Sequence, residues 1–126
     1  MLAVMGPLPG KEKRCPLDVK VEEEVDCGTY VRRLITYASE PSSRVPAYLL
    51  IPKTALETRK KHAAVLALHP TSSDIGHKVV VGFGSKENRA YASELAERGF
   101  VVLAPSYPQL ANYWPDLKAL GYQSGT

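Results

Sequence analysis

The sequence predicts an α/β protein: an N-terminal antiparallel meander followed by a βαβ unit of a doubly wound sheet. Turn-punctuated, strand-favouring segments fill residues 19–51, and two unbroken apolar runs of strand length occupy 63–68 and 100–104. One amphipathic helix pattern separates those two runs.

Residues 1–16 hold Gly6, Pro7, Pro9, Gly10 and Pro16, too many breakers for a regular element, so they form a surface arm. Residues 17–126 form one domain, since 126 residues are too few for two ordinary cores. Within it, 17–52 is read as antiparallel strands at 19–25, 30–38 and 45–51, with turns at 27–29 and 41–44. Pro46 marks the third strand as an edge or places it near a strand start. The charged stretch 53–62 is helix-compatible but has too few apolar positions to bury a face, so it is an exposed connector.

The βαβ unit spans 63–105. Continuous apolar strands are expected where both sheet faces are covered. The helix between them runs over 88–98, with Tyr91, Ala92, Leu95 and Ala96 on one side. Ser85 is its expected N-cap, Glu94 and Arg98 an i,i+4 pair, and Gly99 its stop. Residues 106–126 form an aromatic loop tail without a further strand.

Composition narrows the function classes. The formal charge of +3 comes from scattered residues, with one cluster at Arg59, Lys60 and Lys61 read as solvated, so no nucleic-acid partner is expected. No apolar run approaches the ~20 residues of a membrane span, so no membrane partner is expected. Cys15 and Cys27 lack metal-ligand spacing, and His69, Asp74 and His77 match no zinc pattern, so neither a metal nor a cofactor is expected. Gly76, Gly82 and Gly84 lack the remainder of any phosphate-binding fingerprint and read as flexible loop glycines. Tyr107, Tyr113, Trp114 and Tyr122 either line a pocket or cover the sheet.

In an open α/β sheet, function collects at the carboxyl ends of the parallel strands. Here those ends are Leu68-His69-Pro70-Thr71-Ser72-Ser73 and Pro105-Ser106-Tyr107-Pro108. The run Ala64-Val65-Leu66-Ala67-Leu68-His69-Pro70, then a helix, then Leu95-Ala96-Glu97-Arg98-Gly99-Phe100-Val101-Val102-Leu103-Ala104-Pro105, resembles α/β-hydrolases of the dienelactone hydrolase and acetyl xylan esterase type. Val45-Pro46-Ala47-Tyr48-Leu49-Leu50-Ile51-Pro52 is similar to their meander.

The resemblance implies an incomplete α/β-hydrolase fold and acyl transfer on a small carboxylic ester. It puts a backbone oxyanion donor at Thr71, with His69, Ser72, Tyr107 and Trp114 toward substrate and His69 steadying the turn. Pro70 stands where the family usually has Gly and has no N–H to offer, whereas Thr71 retains one. Ser106 replaces a frequent Asp.

The family's nucleophile elbow, GxSxG, is missing, as are the acid and the His that follow it. Ser124 lies fourth in Gly121-Tyr122-Gln123-Ser124-Gly125 without a preceding apolar strand, and is not read as a nucleophile. The chain thus reads as an N-terminal fragment of an esterase, inactive alone and ending one element before the elbow. The alternative is a complete, non-catalytic α/β module that binds a ligand or a partner. One helix for a sheet built to be covered twice leaves a face uncovered, from which self-association is expected.

Overall fold

A computed structural model describes residues 6–58 and 61–122. Five strands form one mixed sheet: β1 Lys20–Asp26, β2 Tyr30–Glu40, β3 Ser43–Pro52, β4 Ala64–Leu66 and β5 Val101–Pro105, in the order β1-β2-β3-β5-β4. Neighbours pair antiparallel except β4 and β5, which are parallel. Two α-helices accompany them, α1 Lys53–Thr58 and α2 Tyr91–Glu97, with short 3₁₀ segments at Lys11–Lys13 and Gly76–Val81.

The meander follows from its turns. Gly28 (φ +88°) donates its N–H to the Asp26 carboxylate at 2.8 Å, and Lys53 takes the other oxygen at 2.8 Å. Those two bonds hold the Asp26 carboxyl below its ordinary pKa, the Lys53 bond contributing most. The β2–β3 hairpin turns through Pro41 and Ser42, the latter at φ +66°.

Pro46 does not mark an edge, because β3 lies between β2 and β5. It does sit near the strand's start. Its carbonyl accepts from Ser106 N–H at 2.9 Å, so its missing donor points the same way, past the last β3–β5 pair at Ala47 and Pro105.

The apolar run at 63–68 forms a shorter strand than expected, and it is not doubly covered. β4 is the last strand of the sheet, and Leu66 and Leu68 are 57% and 52% exposed. In β5, Val102 and Ala104 are wholly buried, while Val101 and Leu103 are half-buried on the opposite face. The asymmetry has a simple cause: α2 and the Gly76–Val81 turn pack one face of the sheet, forming the main core with Tyr48, Leu50, Val102 and Ala104. Across the sheet, Ile35, Val45 and Ala47 are buried, but Leu17, Val19, Ile35, Tyr37, Leu49 and Leu103 leave an apolar groove of about 290 Å³.

The helix is also shorter than 88–98. Asn88 has φ +56°, which breaks any earlier turn, and Ala90 is the N-cap residue without a side-chain bond, so Ser85 does not cap. Gly99 ends it as expected, at φ +95°, with its N–H on Ala96 O and that of Phe100 on Leu95 O. Glu94 and Arg98 form no ion pair; instead the Arg98 N–H bonds the Glu94 carbonyl at 3.3 Å.

The segment read as a flexible loop is part of the core. Gly76–Val81 buries His77, Val79, Val80 and Val81, because consecutive side chains of one tight turn reach the space between α2 and the sheet. Gly76 (φ +59°) is required there, since a Cβ would lie 2.9 Å from that of Ala111. The connector after β3 forms the exposed α1, which buries no residue. Arg59, Lys60 and Ser124 lie outside the described residues.

Candidate functional site

Parallel β4 and β5 deliver two loops to one end of the sheet, and His69 joins them. Its ring is buried, stacked on Tyr107 with centroids 4.0 Å apart. Nε2 accepts the Tyr107 N–H at 3.2 Å, so the proton sits on Nδ1, which donates to the Pro70 carbonyl at 2.9 Å. One neutral imidazole therefore ties the two walls of the crevice with both nitrogens engaged. Upstream, the Tyr91 hydroxyl at the start of α2 donates to the Leu68 carbonyl, anchoring the chain where it leaves β4.

Thr71 follows this anchor and is exposed, and its N–H meets no acceptor among the described residues. Ser72 is half-buried; its carbonyl accepts Gly76 N–H at 3.2 Å and starts the inward turn. The facing loop is held by Ala111 N–H on Ser73 O at 3.1 Å. His69 and Tyr107 are thus in direct contact, and Thr71 and Ser72 follow on the same loop after β4. Trp114 stands apart: 68% exposed, with Nε1 on Ala111 O at 2.8 Å, it lines a different depression with Ser42 and Arg44.

The Gly76–Val81 turn carries His77, in the sequence a candidate only for metal ligation. That histidine is fully buried, and among the described residues neither ring nitrogen has a hydrogen-bond partner. Its ring lies 5.0 Å from that of Tyr48 and 6.4 Å from that of His69. Burial, with smaller effects from His69 and Lys78, pushes its pKa down to about 4. Ser106 Oγ, also buried, has no partner either. Asp74 is exposed and accepts the Ser73 hydroxyl at 3.0 Å. Among the described residues no three His, Cys, Asp or Glu side chains gather as a metal site, and Cys15 and Cys27 are free thiols.

Chemically, the loop after β4 offers an exposed backbone donor two residues beyond a histidine whose two ring nitrogens are hydrogen-bonded. Such a donor lowers the energy of an oxygen that gains negative charge during reaction. Both imidazole nitrogens of His69 are engaged in hydrogen bonds.

The mixed five-stranded sheet and its few helices make an α/β fold. Among solved structures, the chain is similar to acetyl xylan esterase 1 from Thermoanaerobacterium sp. JW/SL YS485, with a TM-score of 0.61 over 91% of this chain at 18% identity. The chain spans 32% of that protein's length. No protein-family model matches the sequence, and no curated protein matches it.

Proposed function

We propose that the chain is the N-terminal part of a serine hydrolase acting on carboxylic esters, acetyl esters among them. It holds an incomplete α/β-hydrolase fold. Its contribution is the Thr71 N–H as an oxyanion donor, on a loop fixed by His69; the nucleophile, acid and catalytic histidine are not among its residues. The observation that carries this reading is the fold likeness, which takes in 91% of this chain yet only 32% of the esterase. The position of Thr71 on the loop after β4, with an N–H that meets no acceptor among the described residues, supports the role assigned to it.

The test is direct. The purified chain is expected to leave 4-nitrophenyl acetate at its uncatalysed rate. Turnover that is abolished by a serine-directed phosphonate would sink the proposal, since it requires an activated serine that the sequence does not place on an elbow.

A second reading, a non-catalytic module that associates through its thinly covered sheet face, rests on the exposed Leu66, in register with Leu103 on that face, and the exposed Leu68 beyond it. On it, the chain enhances the fluorescence of 8-anilinonaphthalene sulfonate at neutral pH and elutes earlier from gel filtration as concentration rises. The double substitution Leu66→Lys, Leu68→Lys is expected to suppress both. A monomer that binds no dye removes this reading.

A further inference from the structure

A second cavity lies beneath the aromatic tail, bordered by parts of β2, β3 and β5. It holds about 530 Å³, inside the range of small-molecule sites. Apolar side chains make most of its wall: Val45, Pro105, Leu117 and Leu120, with the rings of Tyr37 and Tyr113. Along one side runs a short chain of hydroxyls, with Ser39 Oγ 3.4 Å from Ser43 Oγ and Ser43 Oγ 3.4 Å from Tyr113 Oη. Glu40, only 8% exposed, supplies a carboxylate.

Among the described residues, that carboxylate is engaged through one oxygen. Its Oε2 meets Lys13 Nζ at 3.0 Å and the Tyr122 hydroxyl at 3.3 Å, while Oε1 takes part in neither contact. Lys13 also donates to the Leu120 carbonyl at 2.7 Å and lies 4.9 Å from the centre of the Tyr122 ring. The N-terminal arm and the tail are therefore clasped together beside the cavity.

These features select a ligand chemistry. The Glu40–Lys13 pair leaves no unbalanced charge, so an ionic ligand would lose its hydration without gaining a counter-ion. A sugar ring carries hydroxyls around its whole rim, and several would face Val45, Leu117 and Leu120 without partners. A flat apolar ring with one hydroxyl meets neither obstacle: its body covers the apolar wall, and its polar end reaches the hydroxyl of Ser43 or the carboxylate of Glu40. We propose that this cavity is a binding site for neutral phenols and arylalkyl alcohols. The assignment is independent of the esterase reading and of the Thr71 crevice.

Titration of 4-ethylphenol into the ¹⁵N-labelled chain, followed by amide chemical shifts, tests it. Saturable shifts centred on Ser39, Ser43 and Tyr113 are expected, with none of comparable size from methyl β-D-xylopyranoside. Leu117→Trp, which fills the space, is expected to weaken binding by at least about tenfold, and Ser43→Ala by about fivefold. Circular dichroism establishes that each variant is folded; if Leu117→Trp is not, Ser43→Ala decides. Failure to saturate, shifts centred elsewhere, unchanged affinity in the folded variants, or preference for the sugar overturns the proposal.

Discussion

Lowering the pH from 7 to 4 is expected to cost the fold about 3 kcal/mol through His77 alone. The folded protein holds this buried imidazole neutral down to about pH 4, whereas in the unfolded chain it takes a proton near pH 6.5. Between those values the unfolded state binds more protons, so stability falls as pH falls; above 6.5 and below 4 this group contributes no slope. Urea unfolding midpoints measured from pH 7.5 to 4.5 should decline through that window. In His77→Phe, which fills the same site beside Tyr48 without a titrating group, most of the decline should vanish. A wild-type midpoint that stays level over the window would show that His77 is not held neutral.

Leu50→Ala is expected to destabilise the protein by about 2–5 kcal/mol, a large share of an ordinary domain's margin. Leu50 is fully buried at the middle of the sheet, opposite Val102, under the face covered by α2 and the Gly76–Val81 turn. Leu49→Ala, one residue away, points to the thinly covered face and should cost less than half as much. Denaturation of the two variants side by side measures how unequally the two faces are sheltered. Equal losses would mean that the groove on the Leu49 side is as well packed as the main core.

Much of the architecture was legible because it is written locally. The strands at 19–51 are punctuated by Gly28 and by Pro41-Ser42, and the parallel pair by apolar runs flanking a helix that Gly99 stops. The placement of the loops after β4 and β5 at one end of the sheet was equally legible, since it follows from element order. What was not legible depended on partners distant in sequence. The apolar run ending at Leu68 reads alike whether two layers or one come to cover it, and only the strand order shows β4 at the rim. The Val79-Val80-Val81 triplet was the available signal for a buried turn, but three residues carry no period to distinguish it from a loop. The family resemblance puts Trp114 with Tyr107, yet beyond the Leu110–Tyr113 bridge Trp114 lines a depression with Ser42 and Arg44. His77 had one cue, its place immediately ahead of that valine-rich segment, and nothing in its own spacing told burial from ligation.

The single imidazole that fastens the Pro70 loop to Tyr107 has an evolutionary corollary. Residues on either side of the cleft cannot drift separately, because a change that tilts one bank pulls on the other through His69. Variation in this protein should accordingly arrive in matched sets across the gap, with lone replacements at either bank tolerated mainly where they leave the ring's two bonds in place.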